Sequence, residues 1–159
     1  MRKQTKLVAV LSTAALLAIG ASMTSFAATG WAEEDGTWVY YNRDGERATD
    51  QWKKSGNNWY WLNSDGEMAI DELIQDGDNY YYVDINGVMA ANQWVAIDNE
   101  DAGQDDEPDH YWYYFQANGK ALKNGDNARV ALKTVNGKKY AFDDEGRMLF
   151  GWVDADNAE

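Results

Sequence analysis

Beyond its first thirty residues the chain is polar, and short runs apolar at nearly every position break it at regular intervals. These runs are Trp38-Val39-Tyr40-Tyr41, Trp59-Tyr60-Trp61-Leu62, Tyr80-Tyr81-Tyr82-Val83, Trp112-Tyr113-Tyr114-Phe115 and Lys139-Tyr140-Ala141-Phe142. Successive side chains on a strand point to opposite faces, so a strand apolar throughout has both faces covered. Asn136-Gly137 precedes the last run and suits a two-residue hairpin turn with positive φ at both positions. Asp35-Gly36, Ser55-Gly56 and Asp76-Gly77 hold the equivalent place in earlier units. A second turn follows each run, at Asp44-Gly45, Asp65-Gly66, Ile85-Asn86-Gly87 and Asn118-Gly119, where Asp or Asn before Gly favours left-handed backbone.

The pattern is a repeat. Trp31, Trp52, Leu73 and Trp94 are 21 residues apart, as are Trp38, Trp59 and Tyr80, and Tyr40, Trp61 and Tyr82. Gly45, Gly66 and Gly87 keep the same step. Several columns sharing one period exclude coincidence. After Trp94 the period stretches across the acidic tract 98–109 and resumes at Trp112. A fifth unit runs from about Ala128, and Gly151-Trp152 opens a sixth that is not completed. A lone hairpin is barely stable in water, so neighbouring repeats must supply the cover. The expectation is an all-β solenoid of stacked β-hairpins, about 21 residues per repeat, over 28–159.

The first residues read differently. Arg2, Lys3 and Lys6 lead into an apolar run from Leu7 to Gly20, and Ser25-Phe26-Ala27 offers a small-x-small cleavage pattern. That is a secretory signal over 1–27, too short and wrongly flanked for a membrane span. Export is the expected fate, with no membrane span in the mature chain.

Charge and composition narrow the function. The formal net charge is −13, and removal of a basic leader makes it more negative. Nucleic acid is excluded as a partner, because the phosphate backbone would be repelled. With no cysteine, stability rests on packing alone. Eight Trp and ten Tyr exceed what a core of this size needs. A core can be built from Leu, Ile and Val, so aromatic enrichment in every unit asks for a further reason. Ring faces converging between hairpins suit a quaternary ammonium, which gains from ring quadrupoles. They equally suit a sugar ring stacked on Trp.

Catalysis finds no support. There is no nucleophile motif or phosphate loop, and the carboxylates fall in turns rather than across a cleft. His110 is the only histidine, so a transition-metal site is not expected. The tract Asp98 to Asp109 lacks the spacing of a calcium loop and reads as a lengthened hairpin loop. No cofactor is implied.

The pattern Gly30-Trp31, Gly36, Trp38-Val39-Tyr40-Tyr41, Gly45, and its copy Trp52, Gly56, Trp59-Tyr60-Trp61-Leu62, Gly66-Glu67-Met68, resembles the choline-binding or cell-wall-binding repeats of Gram-positive surface proteins. Related repeats occur in glucan-binding proteins and clostridial toxin receptor-binding regions. The resemblance implies a secreted module, associated with the cell wall or cell surface, that holds a cell-wall polymer such as choline-substituted teichoic acid. A glucan or host glycan is the alternative ligand. It further implies cages between consecutive repeats. The first would use Trp31, Trp38 and Trp61; the second Trp52, Trp59 and Tyr82, with Met68 or Met89 lining a wall. In the third, Leu73 replaces the opening Trp and leaves Tyr80 and Tyr114. The fourth has Trp94 and Trp112 but meets the ringless Ala141. Two intact sites are expected. The usual Gly before the opening Trp is absent at Gln51 and Gln93, which bears on the corner between repeats. The unpaired strand around Trp152 makes a homodimer through the C-terminal repeat a hypothesis.

Overall fold

The computed structural model describes residues 29–125 and 130–151. The secretory leader expected at 1–27 lies outside them, as do Ala128, Arg129 and, from Trp152 onward, the sixth unit expected to open at Gly151-Trp152. The all-β class expected from the repeat is found, with each unit built on a two-stranded hairpin. Ten strands form five two-stranded sheets among the described residues. They are β1 (Gly30–Glu34) with β2 (Thr37–Tyr41), β3 (Gln51–Ser55) with β4 (Asn58–Leu62), and β5 (Glu72–Asp76) with β6 (Asn79–Val83). β7 (Gln93–Asp98) pairs with β8 (His110–Phe115), and β9 (Leu132–Val135) with β10 (Lys138–Ala141). No helix of the described residues is long and apolar enough to cross a membrane.

The hairpin turns divide into two kinds. Asp35 and Gly36 have φ of 51° and 81°, and Asn136 and Gly137 have 49° and 80°. Positive φ at both central positions is what Asp-Gly and Asn-Gly supply. In the second hairpin Ser55 pairs with Asn58, so the turn is Gly56-Asn57 rather than Ser55-Gly56. The third hairpin likewise turns at Gly77-Asp78, and Asp76 ends its strand. There the glycine comes first, with φ of 59° or 60° and no positive φ after it. A turn with glycine at its first central position takes that form.

The corners between hairpins answer the missing glycines. Left-handed backbone falls on Asp50, Asp71 and Asn92, with φ of 49°, 49° and 53°. Gln51 and Gln93 are therefore ordinary strand residues. Asp and Asn tolerate this region better than other side chains, so the corner survives without glycine. The second turn of the second, third and fifth repeats is fixed by its leading Asn or Asp. Asn63 Oδ1 accepts from the N–H groups of Asp65 and Glu67, both at 2.9 Å. Asp84 does the same for Asn86 and Val88, also at 2.9 Å.

One backbone bond repeats from hairpin to hairpin. The Met68 N–H donates to the Trp38 carbonyl at 2.8 Å, and Met89 to Trp59 at 2.9 Å. Ala121 donates to Tyr80 at 2.8 Å, and Met148 to Trp112 at 2.7 Å. Each repeat is thus tied to its predecessor through the first residue of the apolar run.

The chain divides into two compact units. The first comprises the described residues up to Glu72 together with Val83–Met89. Its core gathers Trp31, Trp38, Ala48, Tyr60, Leu62 and Met68, with Tyr40 and Val88 packed against them. The second comprises Leu73–Tyr82 and the described residues from Ala90. Its core is Ala90, Tyr113, Phe115 and Ala121, flanked by Leu73, Tyr80, Tyr82, Val95, Ile97 and Tyr111.

Candidate functional site

Strand alternation sorts the aromatic runs into two faces. Tyr60 and Leu62 of β4, and Tyr113 and Phe115 of β8, are buried. These belong to the core. The alternate positions, Trp59 and Trp61 on β4 and Trp112 and Tyr114 on β8, point the other way, and Trp61 there is itself buried, at 8% exposed. Trp59 is 40% exposed and Trp112 42%. An aromatic that large and that open, at the same column of two repeats, contributes little to the core.

Each open tryptophan belongs to a ring platform. In the second hairpin Trp52 pairs with Trp61 and Lys54 with Trp59, so these four side chains share one face. Trp52 and Trp61 meet edge to face, with centroids 5.2 Å apart and planes at 60°. In the fourth hairpin Trp94 pairs with Tyr114 and Ala96 with Trp112. Trp94 and Tyr114 meet at 5.2 Å and 61°. The two platforms are near copies: an edge-to-face pair with an exposed tryptophan two residues before the pair's second ring.

The first hairpin has the same residue types in a closed arrangement. Trp31 meets its cross-strand partner Tyr40 at 5.3 Å. Trp31 and Trp38 are only 8% and 9% exposed, and both sit in the core with Met68. Trp31 also meets Tyr60 of the next repeat edge to face, at 5.4 Å. Trp61, one residue on, occupies the other face of β4 with Trp52. Of the expected first set, then, the structure gathers Trp31 and Trp38 and directs Trp61 elsewhere.

The fourth hairpin repeats this relation. Trp94 meets Tyr140 at 4.8 Å and stacks on Phe142 at 5.9 Å with planes at 22°. These two rings flank Ala141, the position expected to face the site. Tyr60 and Tyr140 hold one column of the repeat and each meets the opening Trp of the preceding repeat. Sequence reasoning missed both. The signal available was the parity of the strand, which sends residues one apart to opposite faces.

The remaining expected residues are placed as follows. Tyr82 lies near Phe115, with centroids 6.1 Å apart and planes at 30°. Leu73 and Tyr80 flank the second core. Met89 is half-buried, and its N–H makes the bond to Trp59 described above. Several rings carry a cation of the chain's own. Lys53 Nζ lies 4.6 Å from the Tyr40 centroid and donates to Asn42 Oδ1 at 2.8 Å. Lys54 lies 5.7 Å from Trp59, and Lys123 5.9 Å from Tyr80.

The acidic loop after β7 is organised by its own contacts. Asn99 Nδ2 donates to Glu107 Oε2 at 3.1 Å and to the Pro108 carbonyl at 2.9 Å. The Tyr111 hydroxyl donates to the same Glu107 oxygen at 2.6 Å, which holds the Glu107 carboxyl below its ordinary range. No group of three or more His, Asp or Glu side chains is set to hold a metal ion among the described residues. Among the tyrosines, burial pushes the Tyr113 hydroxyl up to about 12.

Tandem hairpins that each carry an aromatic run define a class of repeat protein. Comparison with known proteins makes the class specific. A choline-binding repeat model matches residues 48–94, and a cell wall binding repeat model matches residues 111–121. The choline-binding domain of a Streptococcus pneumoniae protein is 33% identical, covering 60% of this chain and 95% of that one, with a TM-score of 0.44. CbpJ from Streptococcus pneumoniae is 28% identical, with a TM-score of 0.54, covering 80% of this chain and 38% of that one. Choline binding protein F from Streptococcus pneumoniae, solved in the presence of a peptidoglycan analogue, is 25% identical, with a TM-score of 0.54. That likeness covers 82% of this chain and 37% of the other. The chain thus spans nearly all of the first and well under half of the other two. No curated protein sequence matches it. The chain belongs to the family of choline-binding, cell-wall-binding repeat proteins.

Proposed function

We propose that this chain is a secreted, non-catalytic module that anchors to the cell wall by holding the choline groups of a teichoic acid on its ring platforms. The observation that carries the reading is the matched pair of platforms, Trp52–Trp59–Trp61 and Trp94–Trp112–Tyr114. Each sets an open tryptophan, Trp59 or Trp112, beside an edge-to-face ring pair. A quaternary ammonium cannot donate a hydrogen bond, so its affinity comes from ring quadrupoles and methyl contact, about 0.5–2 kcal/mol per ring. The surplus of acidic side chains favours a cationic ligand further.

The test is a choline titration followed by intrinsic Trp fluorescence, with glucan oligosaccharides run in parallel. Saturable quenching by choline is expected, and Trp59→Ala and Trp112→Ala should each remove about half of it. A response to glucan alone would replace choline by carbohydrate as the ligand. Silence to both would end the binding reading.

A further inference from the structure

The backbone bond that ties each hairpin to its predecessor also aligns the residues around it. Two residues beyond each donor stand Ile70, Ala91, Lys123 and Phe150. Only one of these four carries a charge. Lys123 stands near Tyr80, whose repeat has Leu73 in place of the opening Trp, and the donor that reaches Tyr80 from the next repeat is Ala121 rather than Met. Three departures from the repeat therefore coincide at one position, and all three residues belong to the second unit with Tyr80.

The geometry places the lysine deliberately. The Ala121 N–H binds the Tyr80 carbonyl at 2.8 Å, and the Leu122 N–H binds the Tyr114 carbonyl at 2.9 Å. The Asn124 N–H binds the Asp143 carbonyl at 2.8 Å. Lys123 is held on both sides by these bonds, and its Nζ lies 5.9 Å from the Tyr80 centroid. That is within the reach of a cation–π contact.

We propose that the position at Tyr80 is filled by the chain itself: the Lys123 ammonium takes the place of the ligand cation, and no choline binds there. The excluded ligand rests on the proposed function; the lysine's own place does not. A tethered cation acts at an effective concentration on the order of millimolar or above. A free cation at Tyr80 would lose its translational freedom for a site stripped of the opening Trp ring. The lysine wins because it has already lost that freedom on folding. Lys54 lies over Trp59 in a similar way, but there the open tryptophan adjoins the Trp52–Trp61 pair. The opening Trp52 is retained at that position, whereas Leu73 replaces it at the Tyr80 position.

The experiment has two parts. The first is NMR of the side-chain methylene protons of Lys123 in the full chain, with Tyr80→Leu as reference. An upfield ring-current shift at Lys123 that vanishes in Tyr80→Leu is expected, and its absence would overturn the proposal. The second is choline stoichiometry by calorimetry for the wild type, Lys123→Ala and the double variant Leu73→Trp/Lys123→Ala. The double variant should bind about one more choline per chain than the wild type. Return of the Lys123 shift to its Tyr80→Leu value as choline saturates the wild type would also overturn the proposal, because choline would then be displacing the lysine. A Lys123 shift present with no choline bound by any variant would sink the choline reading and leave the lysine assignment standing.

Discussion

At the scale of single residues, neighbouring aromatics of one strand do opposite work. Tyr60 is buried against Trp31, while Trp59 beside it is open. Tyr60→Ala should cost about 3–5 kcal/mol of stability, as large-to-small changes in a core do. Trp59→Ala should cost about 1 kcal/mol, because much of its ring already faces water. Urea denaturation of the two variants checks this, and equal losses would show that both faces are core. The buried Tyr113 gives a second residue-level expectation. Its hydroxyl titrates near 12 in the fold, raised chiefly by burial, against an ordinary tyrosine value of 10.0. Between these two pH values the folded state holds a proton that the unfolded state has released, so stability falls as pH rises. Below the lower value its contribution is complete. Melting temperatures across that window should fall less in Tyr113→Phe than in the wild type, and identical slopes would remove Tyr113 as the cause.

At the scale of the element, the glycine of the second turn joins one repeat to the one before it. Gly87 has φ of 77°, and an added Cβ would lie 2.8 Å from Met68 Cε and 3.2 Å from the Ala69 carbonyl oxygen. Gly36 has φ of 81° with nothing within 4 Å of such a Cβ. Gly36→Ala should cost only the conformational strain, about 1 kcal/mol. Gly87→Ala should cost roughly twice that, since the Met68 tip can move but the carbonyl cannot. Equal shifts in the urea midpoint would deny the packing role. How far such elements are legible in the sequence depends on what sets them. The hairpins and their period are local and appear in several columns at once, so they can be read directly. The phase of the turns at Gly56 and Gly77 cannot, because a glycine fits either central position and cross-strand register decides. The corners were hidden for a related reason. Asp50 and Asn92 adopt left-handed backbone that only the returning chain makes evident. The ring contacts were half legible: the columns could be named, but the choice of Tyr60 rather than Trp61 to meet Trp31 is made by which face of β4 turns toward the first hairpin, since both residues are buried.

At the scale of the whole molecule, charge decides how ligand and polymer differ. Acidic side chains number 27 against 14 basic ones, so the chain presents a negative field to anything approaching it. On the proposed function, free choline is a cation and is drawn in, while a teichoic acid carries the same choline on a phosphodiester backbone that the field repels. The ring contacts themselves are short-ranged and nearly indifferent to salt, whereas the field is screened over about 10 Å at 0.1 M. Raising sodium chloride from low to high should therefore weaken free choline binding by roughly two- to threefold. The same change should strengthen binding to the choline-bearing polymer, because its phosphates are no longer repelled while short-ranged ring contacts of the proposed kind are unaffected. Calorimetry with choline and sedimentation with the purified polymer, across one salt series, measure the two slopes. Opposite signs are expected. A steep loss of polymer binding with salt would mean that basic side chains hold the phosphates, and would move the recognition from the aromatic platforms to the lysines.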